Sequence, residues 1–274
     1  MMTNRRGSRK HILDLLDRPD YTFALNEIVA DKNVELQPME QRQPRGHADP
    51  KEWTLRHFVR EHLGGSGFDY AKFCSWWVPE HFTNPTWDLL STCTIAGRRG
   101  LLVVEAKANV SEVGFNGKLL HQDASDQSRS NHRQIIASLH EAQENLNQQI
   151  PDFSLCESHY QLCNRIASAW KLAACGLPVV LLYLGFTGDT GITDAGMPFA
   201  DDAHWQATMK KYMAGVVPYS LLGKTLTFDT GTIDKGTMTF LVRSTPALSA
   251  SMPAMRRMSP RFHDWRTDAR REIA

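Results

Sequence analysis

From Val179 to Phe186 runs an apolar stretch that no charged or amide side chain interrupts, and it narrows the possible folds more than any other segment. Successive side chains of a strand point to opposite faces, so a half-solvated strand alternates apolar with polar residues. An apolar run without alternation predicts a strand buried on both faces, the mark of a sheet sandwiched between helices. Helical spacing supplies the flanking elements. One helix is expected from about His159 to Cys175, ending at Gly176-Leu177-Pro178; another is carried by Ile135, Leu139, Ala142 and Leu146; a third spans Ala203 to Met213. Asp49-Pro50 is expected to open a helix that places Leu55, Phe58, Val59 and His62 on one face and stops at Gly64-Gly65. Phe73 to Val78 reads as a first strand or a buried loop, and Met238 to Val242 as a last strand.

Between them lies a hairpin pattern. Leu89 to Ile95 forms one arm, Gly97-Arg98-Arg99-Gly100 reads as the turn, and Leu101 to Val104 leads into Glu105-Ala106-Lys107. Glu105 and Lys107 share a face, with Ala106 opposite. Asp88, in Pro85-Thr86-Trp87-Asp88, stands just before the first arm, so pairing of the arms brings it back beside Glu105. Two carboxylates and an ammonium at the edge of a buried sheet would make a divalent-metal site with a positive group beside it.

These residues resemble the PD-(D/E)xK nuclease superfamily, with its restriction-endonuclease-like fold. The likeness covers about residues 50 to 245, and its specific part is Asp88…Glu105-x-Lys107. Thr86 and Trp87 depart from the family pattern by separating the proline from the aspartate. The resemblance implies an α/β restriction-endonuclease-like core, a mixed central sheet flanked by helices. It also implies that Asp88, Glu105 and the backbone carbonyl of Ala106 bind Mg²⁺ (Mn²⁺ substituting), and that Lys107 assists the attacking water. In many relatives a helix glutamine contacts the scissile phosphate, which points to Gln161, with Arg165 one turn on as a phosphate clamp and Lys171 further along the same polar face. An acid from the first helix often completes the metal site; Glu52, at the border of the apolar face, is preferred over Glu61. Magnesium suits this chemistry: it prefers oxygen ligands, keeps several waters, polarises phosphoryl oxygens and lowers the pKa of a bound water.

The chain has 274 residues and a net charge of +1. That charge is uneven. Residues 1–20 carry five Lys/Arg and three Asp, residues 246–274 six Arg and three acids, and the body between is slightly acidic. The expected organisation is a polar, arginine-bearing extension over 1–45, a nuclease core over 46–245 and a basic tail over 246–274. Basic ends could grip a phosphate backbone by releasing counterions, or simply be solvated. Gln37 to Pro50, with three prolines, reads as a linker, and Asn116 to Asn131 as a loop crossing the active face. Five cysteines without a CxxC pair disfavour zinc ribbons and disulfide frameworks. No apolar run suits a membrane span and no apolar segment near the N-terminus suits a secretory signal, so a cytoplasmic location is expected.

The partner implied is DNA, with RNA left open, and cutting both strands would favour a homodimer. The eleven histidines include no HExxH, and Gly185 to Gly191 lacks the Lys-Ser/Thr of a P-loop. Two other functions stay open: a non-catalytic nucleic-acid-binding or assembly protein on the same fold, and an enzyme using Glu105 and Lys107 as an acid/base pair on a small substrate.

Overall fold

A computed structural model describes residues 7–30, 33–64, 68–79, 84–114, 117, 120, 122–191, 196–231 and 235–248. Its helices are α1 (Ser8–Leu16), α2 (Tyr21–Val29), α3 (Leu55–His62), α4 (Tyr70–Trp76), α5 (Asp126–Asn147), α6 (Tyr160–Ala174) and α7 (Asp202–Met213). The strands are β1 (Val34–Glu35), β2 (Arg42–Gln43), β3 (Leu89–Ile95), β4 (Arg98–Lys107), β5 (Val179–Thr187), β6 (Thr225–Phe228) and β7 (Gly236–Pro246). They form one mixed sheet in the order β1-β3-β4-β5-β7-β6, with β2 also paired to β3. β3 and β4 are antiparallel, β4, β5 and β7 are mutually parallel neighbours, and β6 returns antiparallel. The fold is therefore α/β, a mixed sheet with helices on both faces.

The unalternating run is explained by two cores. Leu181 and Tyr183 of β5 join Leu101 and Val103 of β4 against α3 to α7, while Val180, Leu182 and Leu184 join Leu102, Val104 and Ala106 against α1 and α2. Both layers are apolar, and every residue of β5 is buried between them. The α1–α2 layer revises the expected organisation. From residue 8 onward the polar extension is part of the fold: Ile12, Leu15, Leu16, Leu25 and Val29 pack on one face of the sheet, and β1 and β2 extend it. The stretch read as a linker holds β2 and the buried Gln43. Most of the basic tail, 249–274, lies outside the described residues, as do residues 1–6 and His121.

Four local expectations change. The hairpin turn sits at Ala96-Gly97, both with positive φ (48° and 78°), and Ile95 pairs with Arg98. That is the two-residue turn whose twist suits paired strands. Gly100 then lies inside β4, where a Cβ would press on the Ile95 side chain and the Pro178 carbonyl. Helix α3 starts at Leu55, because the Thr54 hydroxyl accepts from the His57 amide and caps it there, leaving Asp49-Pro50 and Glu52 upstream. Phe73 to Trp76 belongs to helix α4, capped by the Asp69 carboxylate on the Lys72 amide. The loop expected over 116–131 is shorter, since α5 begins at Asp126 with Ser125 as its cap.

Helix α6 ends as its sequence requires. Gly176 adopts φ 101°, its amide bonds the Ala173 carbonyl, and the Leu177 amide bonds the Leu172 carbonyl. This pair of bonds closes the last turn and sends the chain into β5 through Pro178.

Candidate active site

β4 carries the site past the end of its pairing with β3. The ladder stops at Leu89↔Val104, so the next amide facing β3, that of Ala106, needs another partner. Asp88 supplies it: Oδ2 accepts from the Ala106 amide at 2.7 Å. In a strand the amide and carbonyl of one residue point to the same side. The Ala106 carbonyl therefore faces Asp88, away from β5, as a metal ligand there would have to.

Glu105 and Lys107 point together into the α3–α7 face, 2% and 5% exposed. Lys107 Nζ donates to Glu105 Oε1 at 2.5 Å, and Arg165 Nε, from α6, donates to Glu105 Oε2 at 2.7 Å. Both carboxylate oxygens thus accept from cations. Arg165 is itself held by the Thr86 carbonyl at 2.7 Å and lies 4.2 Å over the Trp87 ring. The segment Thr86-Trp87-Asp88 therefore binds the site twice, through Arg165 and through Ala106.

The electrostatics follow. Burial and the neighbouring Glu105 charge push the half-buried Asp88 carboxyl up to about 7, against the pull of Lys107 and the Ala106 amide. Burial would likewise raise Glu105, but Arg165 and Lys107 hold it below the usual carboxylate range. Two carboxylates share a desolvated corner and only one is easily charged. A divalent cation would relieve that repulsion, and the two carboxylates with the Ala106 carbonyl offer hard oxygen donors suited to magnesium. Among the described residues no three His, Cys, Asp or Glu side chains cluster as a metal cage, so water and substrate oxygens would complete the shell.

The other predicted residues fall differently. Glu52 precedes α3 and is held by Arg9 Nη1 at 3.2 Å and the Thr86 hydroxyl at 3.1 Å; its charge still reaches Asp88. No hydrogen bond or ion pair joins Gln161 to the trio among the described residues, and it is half-buried in the first turn of α6. Arg165 faces Glu105 rather than open surface. Lys171, six residues and about 9 Å further along the helix axis, is 5% exposed and pairs with Glu141 of α5 at 2.8 Å. It lies between Trp76 and Trp170, 5.4 and 5.2 Å from their rings, inside the helical layer. The α6 face read as polar is thus largely interior: Asn164, Arg165, Ser168 and Lys171 are all buried.

Two further residues belong to the site. Tyr183, register partner of Glu105, is fully buried, and burial lifts its phenol well above the ordinary value. Its hydroxyl in an otherwise apolar run was the available signal. Trp87 supplies the ring under Arg165, and its sequence position beside Asp88 was the signal there.

Compared with protein-family models, with curated proteins and with solved structures, the chain matches none. The class defined so far is an α/β protein with a mixed sheet flanked by helices and a buried Asp–Glu–Lys–Arg cluster at the end of β4. None of its described helices is long and apolar enough to cross a membrane.

Proposed function

We propose that this protein is a metal-dependent nuclease of restriction-endonuclease-like type, hydrolysing phosphodiester bonds of DNA by attack of an activated water. The observation that carries the reading is the convergence of Asp88, Glu105 and Lys107 around Ala106, where β4 runs past its pairing with β3. Asp88, Glu105 and the Ala106 carbonyl would hold Mg²⁺, which supplies charge neutralisation and a more acidic water when bound. Lys107, at the same carboxylate, holds a proton donor where negative charge builds on the phosphate or orients the attacking water. Arg165 fixes the Glu105 carboxylate and, through Thr86, the strand entry that carries Asp88. The low exposure of the cluster keeps bulk water away, which strengthens each of these interactions.

One observation favours a second reading, a nucleic-acid-binding or assembly protein with an inert site: both oxygens of Glu105 already accept from cations. Calorimetric titration with Mn²⁺ separates the two. The nuclease reading requires Mn²⁺ binding that is lost in Asp88→Asn and Glu105→Gln; a protein that binds DNA and shows no carboxylate-dependent metal affinity is the inert module.

A further inference from the structure

All five cysteines are free thiols, and two of them meet. Cys156 stands in extended backbone just ahead of the short helical turn Glu157–His159 that runs into α6, and Cys163 lies one turn inside α6. The Cys156 amide donates to the Cys163 sulfur at 3.2 Å, and the two thiols are close enough to hydrogen-bond each other. The pair differs in exposure. Cys163 is fully buried, and burial pushes its thiol up to about 12. Cys156 is half-buried, and its sulfur lies 3.1 Å from the hydroxyl of the exposed Ser158. That hydroxyl is also 3.1 Å from His159 Nδ1, which itself stands 3.9 Å from the Cys156 sulfur. A path therefore leads from the outer thiol through Ser158 to the imidazole. Burial holds His159 below its usual value, so the ring is neutral at physiological pH and can take a proton.

We infer that Cys156 and Cys163 are a redox-active dithiol, which a low-molecular-weight disulfide such as oxidised glutathione converts to an intramolecular disulfide. The thiolate is the attacking species, so Cys156, the half-buried thiol with a proton path, reacts first. His159 takes its proton through Ser158. The Cys156 sulfur bonds to one sulfur of the small disulfide, the old sulfur–sulfur bond breaks, and the departing thiolate takes the proton from His159. The Cys163 sulfur then attacks the Cys156 sulfur of the mixed disulfide. A Cys156–Cys163 bond forms, the bond to the small molecule breaks, and the second small thiol leaves with the Cys163 proton. The protein pair is oxidised by two electrons, and the small disulfide is reduced to two thiols. Burial shields Cys163 from the reagent but not from Cys156, which fixes the order of the steps. The ring closed, residues 156–163, includes the first turn of α6 and stops two positions short of Arg165, so the modification sits on the helix that carries a counter-cation of Glu105.

The redox pair is independent of the nuclease reading, and its test reads thiols rather than cleavage. The reduced full chain is equilibrated at neutral pH with mixtures of reduced and oxidised glutathione and quenched with acid. Remaining thiols are alkylated under denaturing conditions and mapped by peptide mass. For wild type the expected result is loss of the Cys156 and Cys163 thiols together, as one cross-linked peptide without glutathione, reversed by dithiothreitol. Cys163→Ser should stop at glutathione on Cys156, and Cys156→Ser should leave Cys163 reduced, both with the wild-type circular dichroism spectrum. Folded wild type that keeps all five thiols in every mixture overturns the inference. So does a glutathione adduct that persists on wild-type Cys156, or a cross-link from either residue to another cysteine. Glutathione on Cys163 in folded Cys156→Ser overturns the order of the steps and the shielding of Cys163 with it. If a variant does not fold, the wild-type peptide map decides alone.

Discussion

Arg165 is the residue on which the buried cluster depends for charge balance, and Arg165→Met tests that directly. The substitution keeps an unbranched chain in α6 and removes three polar contacts, to Glu105, Thr86 and Asn164, together with the cation over Trp87. Glu105, 2% exposed, would be left with Lys107 as its one cation among the described residues. Removing one partner of a buried pair typically costs about 3–5 kcal/mol, because the other charge stays buried and underpaired. The lost stacking on Trp87 and the Thr86 bond overlap with that figure, so about 4 kcal/mol is the expectation, a large part of the ~5–15 kcal/mol of an ordinary fold. Urea denaturation followed by far-ultraviolet circular dichroism reads it as a drop in midpoint at unchanged slope. Combining Arg165→Met with Glu105→Gln should recover about 2 kcal/mol relative to the sum of the single changes, since the stranded charge is gone. A loss below about 1 kcal/mol for Arg165→Met, or strict additivity in the double variant, would refute the claim that Arg165 compensates Glu105.

Other outcomes follow from the same geometry. The ordinary value for an aspartate is 3.8 and Asp88 titrates near 7, so the folded state holds a proton that the unfolded chain gives up earlier. Metal-free stability from this residue therefore falls as pH rises from about 4 to about 7; melting curves should show the slope, and saturating Mg²⁺ or Asp88→Asn should flatten it. Mn²⁺ affinity measured by calorimetry should run the other way, weakening below about pH 7 as the ligand is protonated. Lys107→Ala should lower DNA cleavage at least about 10²-fold while the circular dichroism spectrum is preserved; normal cutting would remove Lys107 from the mechanism. Gly185→Ala, whose new methyl would collide with the Trp205 ring, should cost about 1–3 kcal/mol in chemical denaturation.

How far the sequence could be read depended on how local the determining contact was. β5, the two arms of the hairpin, α6 and α7 are set by short-range patterns and by end signals such as Gly176-Leu177-Pro178, and they stand close to where those patterns put them, although the hairpin's turn sits at Ala96-Gly97. Phe73 to Trp76 misled because bulky aromatics favour strands as well as buried helices, and the deciding contact is one carboxylate, Asp69, on one amide. The α1–α2 layer was hidden for a different reason. Its apolar residues are visible in the sequence, but their partner is a sheet face more than sixty residues away, and the tie from Ser8 to Glu112 spans 104 positions. In the site, the Glu105-x-Lys107 pair followed from strand alternation, and Asp88 from hairpin pairing. The Arg165–Glu105 contact crosses 60 residues between a helix and a strand, and helical periodicity cannot say which neighbour a polar face will meet.

The central claim, that Asp88 and Glu105 hold a metal for phosphodiester hydrolysis, meets its most direct test in a cleavage assay. Purified wild type and Glu105→Gln are incubated with supercoiled plasmid, linear duplex and single-stranded DNA in Mg²⁺, Mn²⁺ or EDTA. The account predicts cutting of at least one form by wild type with metal, none with EDTA, and none by Glu105→Gln. Cutting that survives EDTA or the Glu105→Gln change, or folded wild type that binds metal and cuts no form, would contradict it.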